Sequence, residues 1–241
     1  ILAAGTEDTT YKITAADLLA GFTDANNDVL SVSGLTATNG TLIDNRDRTY
    51  SFTPDANFNG TVNLSYNVID GKGGSVAATQ TLAIAAVNDA PVLTAGSLTR
   101  KISGNISQPI TGISISDIDT GETLNAPVQV TLSAGKGVLT LGTTTGLTGV
   151  TSGSNITFSG TIANINAALA TLSYKGNPNV FGLGADTINL TVNDLGNTGS
   201  GGSLTDSKAI ALNIYNTQIG TSGDNTFAAT PYPDEFLLGA D

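Results

Sequence analysis

Cysteine, histidine, methionine and tryptophan are all absent from the 241 residues. Without Cys there is no disulfide framework and no thiol chemistry; without Cys and His the usual zinc and haem sites are gone; without His there is no imidazole-based triad. Most routes to catalysis go with them. Charge is scarce at 12%, and positive charge scarcest: nine Lys and Arg stand against 20 Asp and Glu, for a net charge of −11. That sign opposes both a phosphate backbone and an anionic lipid surface, so nucleic acid is not expected as a partner. The longest apolar run, residues 82–87, is far too short to cross a bilayer, so membrane insertion is not expected either. Residues 1–5 lack an initiator Met and a basic leader and read as the start of a fragment or a processed piece.

What is present points to folded all-β modules. Hydrophobic residues reach 39%, well above the level of acidic disordered tails, and 29 glycines supply many turns. Val62, Leu64, Tyr66 and Val68 alternate with Asn63, Ser65 and Asn67, and Ile188, Leu190 and Val192 with Asn189 and Thr191. A period of two fits half-buried strands, and it predicts that the apolar members face two cores. The pairs Asn39-Gly40, Asn59-Gly60 and Asp70-Gly71 suit tight hairpin turns with positive backbone angles. Helical spacing is confined to residues 15–20, behind Thr14 as N-cap, and to Ile162, Ile165, Leu169 and Leu172. Segments that short are connections packed on a sandwich, not elements that define the fold.

An internal repeat organises the chain. Leu64-x-Tyr66-x-Val68-x-Asp70, a Gly-rich turn and a last strand ending at Asn88 recur as Ile188-x-Leu190-x-Val192-x-Asp194, a second Gly-rich turn and a strand ending near Asn216. The cluster Asp24, Asn26, Asp28 is matched by Asp117, Asp119, Glu122. The expected domains are a β-sandwich over residues 1–91, a longer one with a helical insertion over 92–216, and a tail over 217–241. In that tail Gly223, Asn225 and Phe227 are followed nine residues later by Tyr232, Asp234 and Phe236, the period of the calcium β-roll, although Tyr232 and Pro233 depart from it.

The acidic clusters carry the chemistry. Calcium takes six to eight hard oxygens, and Asp or Asn at alternate loop positions with another carboxylate nearby provides them. Asp24, Asn26 and Asp28 are expected to join Asp70 and Glu7; Asp117, Asp119 and Glu122 are expected to join Asp194. Asp and Asn also suit such turns for backbone reasons alone, which for any single residue is the simpler reading. Six Asn-x-Ser/Thr triplets are what chance produces in so polar a chain, and no Ser-Lys pair stands in a nucleophile motif.

Residues 5–8, 24–32, 50–60 with Pro54, Asp55 and Phe58, 68–75 with Asp70 and Gly71, and 87–91 with Asn88, Asp89 and Pro91 together resemble the cadherin-like tandem repeats of very large secreted bacterial surface proteins. The second unit resembles a longer variety, and the tail the opening of the nonapeptide calcium repeats of RTX-type adhesins. The resemblance implies two immunoglobulin/cadherin-like β-sandwiches and calcium held by Glu7, Asp70, Asn88, Asp89, Asp117 and Asp119. One or two ions per junction are implied rather than three, because Ala85 and Ala86 precede Val87 and no second Asn follows Asp89. It further implies a non-enzymatic adhesin stalk or filament or matrix subunit, extracellular, bacterial and exported by a type I route. Neighbouring repeats, further copies in a filament and surface or matrix glycans would be its partners. Two alternatives stay open: a carbohydrate- or receptor-binding module, which needs an exposed aromatic platform that Tyr11, Tyr174, Tyr215 and Tyr232 are too scattered to show, and an accessory spacer of an extracellular hydrolase.

Overall fold

The computed structural model describes residues 2–104, 106–121, 126–196, 198–219 and 230–237. They are nearly all-β, with the helices Ala15–Leu19 and Ile162–Leu169 where the spacing places them. The chain divides into two compact units, Ile1–Val87 with Gly199–Gly201, and Asn88–Thr198 with Gly202–Asp241. The polar pair Asn88 and Asp89 therefore belongs to the second unit.

In the first unit a four-stranded sheet, ordered Gly5–Thr6, Ser75–Ala85, Gly60–Ile69, Ser31–Ala37, accompanies a three-stranded sheet of Tyr11–Thr14, Thr49–Pro54 and Gly40–Asp44. Gly60–Ile69 alternates as the period of two requires: Val62, Leu64, Tyr66 and Val68 are buried and the residues between them exposed. They share a core with Ile13, Leu18, Phe52 and Leu82. The short helix starts because Thr14 and Asp17 form a reciprocal capping box, and the buried Tyr66 hydroxyl donates to the Leu18 carbonyl at 2.7 Å. Of the three expected turns, only Asp70-Gly71 closes a hairpin, between Gly60–Ile69 and Ser75–Ala85. Asn39-Gly40 carries the chain from one sheet to the other, since Ser31–Ala37 and Gly40–Asp44 pair with different strands. There Asn39 takes the left-handed angle, φ 56°, while Gly40 is needed for space: a Cβ would lie 2.6 Å from the Phe52 ring.

The second unit repeats the arrangement with additions. Gly182–Asn193 and Thr205–Ile219 form its last antiparallel hairpin, and Thr99–Ser103 runs parallel to the final strand as Gly5–Thr6 does in the first unit. Pro127–Ala134 and Asn155–Thr161 widen this sheet, which accompanies Gln108–Pro109, Leu172–Gly176, Gly137–Leu141 and Ser152–Gly153. Ile165, Ala168 and Leu169 bury one face of the helix Ile162–Leu169 in the same core as Leu132, Phe158, Leu190 and Leu212. Asp186 ties the 134–137 turn down: it accepts from the Gly135, Lys136 and Thr187 N–H groups and from the buried Tyr174 hydroxyl at 2.8 Å. Burial, followed by the hydrogen bond to Asp186 and then its charge, pushes the Tyr174 phenol well above its ordinary value. The described part of the expected tail belongs to this unit, for residues 217–219 finish the last strand and Asp234–Leu237 pairs alongside it in parallel. Residues 223–227 and 239–241, which carry most of the nine-residue pattern, lie outside the described residues.

Truncating either core stripe has a defined cost. Val68→Ala and Leu190→Ala should each destabilise their unit by about 2 to 4 kcal/mol in chemical unfolding. The exposed neighbour Asn189→Ala should stay within about 0.5 kcal/mol. Equal effects at Leu190 and Asn189 would contradict the assignment of faces.

Candidate cation site

Strand ends bring five of the expected residues together in the second unit. Ile113–Ser116 pairs antiparallel with Val92–Ala95, Ser116 opposite Val92, so Asp117 leaves one strand beside the point where the chain enters the other. Asp119 follows in a single 3-10 turn, Ile118–Gly121. Asp194 follows the strand Gly182–Asn193, where its N–H bonds the Leu204 carbonyl.

Asn88, Asp119, Asp194 and Thr198 are all buried there. Asn88 Nδ2 donates to Asp194 Oδ2 at 2.8 Å and lies 3.1 Å from the Gly202 carbonyl. The Asp89 N–H donates to Asp119 Oδ2 at 2.7 Å, and the Asp119 N–H to Asp117 Oδ1 at 3.0 Å. The Thr198 hydroxyl lies 3.0 Å from Asn88 Oδ1 and 3.3 Å from Asp119 Oδ2. Asp194 Oδ1 accepts from the Gly196 and Leu204 N–H groups, both at 2.8 Å. Thr198 was not among the expected residues; a hydroxyl in a Gly- and Ser-rich turn carries no pattern to single it out. Burial raises the Asp117 carboxyl above the usual range, and the Asp119, Asp194 and Asp89 charges push it the same way. An anionic crowd in which one member is driven toward protonation is the electrostatic complement of a cation.

The first unit does not assemble its expected set. Glu7 is buried beside the last strand: its N–H bonds the Ala85 carbonyl, its Oε1 accepts the Val87 N–H, and its Oε2 is buried with no hydrogen-bond partner. Asp70 sits at the opposite end of the same hairpin, because Gly60 faces Ile84 and Ile69 faces Ser75. At 3.3 Å per residue the two ends are about 30 Å apart, so Glu7 and Asp70 cannot share an ion within this unit. Asp70 instead shares a cavity with Asp24, lined also by Phe22, Leu30 and Val76. Both aspartates build their own turns. Asp24 Oδ1 accepts from the Asn26 and Asp28 N–H groups, and Asp70 Oδ1 from those of Lys72 and Gly74. The Lys72 N–H holds the Asp70 carboxyl below the ordinary range. Glu122 lies outside the described residues. Among the described residues no three carboxylates are already arranged around one point for a metal.

Residues 1–85 match the family model of a cadherin-like domain. No curated protein matches the chain. Among solved structures, the human mucin-like protocadherin EC1-2 fragment is similar at 15% identity and a TM-score of 0.41, over 78% of this chain and 84% of that one. The D00-D0 domain of intimin is similar at 14% identity and a TM-score of 0.37, over 86% and 94%. An endo-fucoidan hydrolase of glycoside hydrolase family 107 is similar at 19% identity and a TM-score of 0.31; the chain spans 27% of its length. The exposed aromatic platform of a sugar-binding reading loses Tyr174, which is fully buried in the core of the second unit.

The raised Asp117 fixes the sign of a pH effect in metal-free solution. Its contribution to stability is fully present below the ordinary aspartate value of about 3.9 and is lost as pH rises through the raised folded value. Asp117→Asn should therefore raise the melting temperature of the chelated chain at pH 7, with the gain shrinking as pH falls toward 4. A variant less stable than the parent at pH 7 would show that the Asp117 charge is compensated without metal.

Proposed function

We propose that this chain is a non-enzymatic segment of a secreted repeat protein, stiffened by calcium and serving as an adhesin stalk or as a subunit of a surface filament. The observation that carries the reading is the meeting of Asn88 and the Asp89 backbone with Asp117, Asp119 and Asp194, from three stretches of sequence, where burial first and the neighbouring charges after it raise the Asp117 carboxyl. The donor set fits calcium: it is all oxygen, rich in carboxylate and joined by backbone carbonyls such as that of Gly202. The orphaned, buried Glu7 Oε2 in the cadherin-like first unit fits a second ion by the same chemistry.

Bound there, calcium supplies neutralising charge and coordination. The residues of this chain supply the rest. Asp119 orders the peptide that follows Asn88, Asp194 holds the 194–204 turn, and Asn88 joins the two through its amide and Thr198. An ion shared by these groups fixes the entry of the chain into the second unit, which is how a linker loses its hinge freedom. Extracellular calcium modules bind with dissociation constants of about 0.1–1 mM, so the sites fill outside a cell and stay empty inside one. That is consistent with export of a metal-free chain, and the family match of the first unit, the RTX-like spacing of the tail and the excess of acid support a bacterial surface protein exported by a type I route.

Small-angle scattering of the whole chain tests this. In millimolar calcium the curves should give one well-defined maximum dimension, and in chelator a broader distribution. Asp194→Asn should keep the chelator-like distribution at calcium concentrations that convert the parent. Superimposable curves for the parent with and without calcium would remove the stiffening role.

A further inference from the structure

The two units end differently. In the first, Gly5–Thr6 runs parallel to the last strand with Thr6 opposite Ala85, and the next residue, Glu7, bonds the Ala85 carbonyl through its N–H. In the second, Thr99–Ser103 runs parallel to the last strand with Ser103 opposite Tyr215, and the next residue, Gly104, bonds the Tyr215 carbonyl through its N–H at 2.7 Å. Gly104 thus holds the place of Glu7. No carboxylate can stand there: a Cβ on Gly104 would lie 2.5 Å from the Phe181 ring and 2.8 Å from the Tyr215 carbonyl.

What stands beside it is another part of the chain. Asp234–Leu237 pairs in parallel with residues 216–219 on the edge that Gly182–Asn193 leaves, across the strand from Thr99–Ser103, and the Asn216 N–H bonds the Pro233 carbonyl at 2.9 Å. In the first unit a single residue, Ser200, makes the corresponding parallel bridge at Val87. The contacts of 230–237 are specific. Glu235 Oε1 pairs with Lys101 Nζ at 2.6 Å, and Oε2 accepts from the Ser103 hydroxyl. Asp234 Oδ1 accepts from Asn216 Nδ2 at 3.1 Å and from the Thr230 hydroxyl at 2.7 Å. The Lys101 ammonium lies 4.9 Å from the centre of the Tyr215 ring, and Tyr232 meets Phe181, the ring that excludes a side chain at Gly104, at 5.6 Å.

We propose that residues 230–237 are a built-in strap that closes this end of the second unit, with the Lys101 ammonium and Glu235 doing there, without metal, what a cation would do at Glu7. The contrast with Glu7 rests on the calcium reading; the strap rests on its own contacts. It makes the two ends of the second unit distinct. Asn88, Asp119 and Asp194 lie at the start of the Thr205–Ile219 strand and answer to calcium, while the strap lies at its finish and does not.

Hydrogen–deuterium exchange on the full chain, in calcium and in chelator, tests the strap. The amides of residues 216–219 should be protected equally in both. Glu235→Gln should speed their exchange about tenfold or more, the effect of losing one charge-assisted hydrogen bond, and Lys101→Gln should do so in the same direction. Protection at 216–219 that appears only with calcium, or that survives both substitutions unchanged, overturns the proposal. A chain whose stability ignores calcium throughout, yet whose 216–219 protection falls in Glu235→Gln, refutes the calcium reading and upholds the strap.

Discussion

Asp119 and Asp194 are carboxylates buried in a chain that has few cations to spend on them. Each earns its place by holding backbone: Asp194 ties both ends of a long Gly-rich turn, and Asp119 orders the residue after Asn88. At the edge of the group, burial and then the charges of Asp119, Asp194 and Asp89 raise the Asp117 carboxyl above its ordinary range. In the proposed calcium reading, an ion from solution supplies the compensating charge that nine Lys and Arg in 241 residues do not. On that reading, the dependence of the unit's entry on calcium follows from that shortage.

Where the sequence is periodic, it is legible. The stripes at residues 62–68 and 188–192 face the cores because a buried strand has no other way to place alternate side chains, and both short helices stand behind the threonines that cap them. The cluster of Asp117, Asp119 and Asp194 was readable because each residue sits at a strand end marked by the repeat. Sheet membership was not readable. Asn39-Gly40 looks like a hairpin turn in sequence, yet it joins strands of different sheets, and only tertiary pairing tells the two apart. Glu7 and Asp70 were expected to meet because both belong to the family pattern; the length of one uninterrupted hairpin keeps them at opposite ends. Thr198 and the pairing of 234–237 carry no local signal, since one depends on a turn's shape and the other on an edge left free far away in sequence.

The repeat therefore gives two units that share a plan but not their charges. The first presents a buried glutamate with one oxygen unpartnered, beside a hairpin whose far end carries the turn aspartates Asp24 and Asp70. The second gathers its carboxylates where the chain enters, and at its other end replaces the glutamate with a glycine, an aromatic ring and an internal ion pair. Under the proposed calcium reading, one scaffold offers metal-dependent and metal-independent closures, set by a handful of positions outside the core.

Calorimetric titration of calcium into the whole chain, beside the Asp119→Asn variant, tests the central claim most directly. The account predicts saturable binding by the parent with a dissociation constant of about 0.1–1 mM or tighter, and at least one site lost in the variant. No saturable binding by the parent, or identical isotherms for the two proteins, would contradict it.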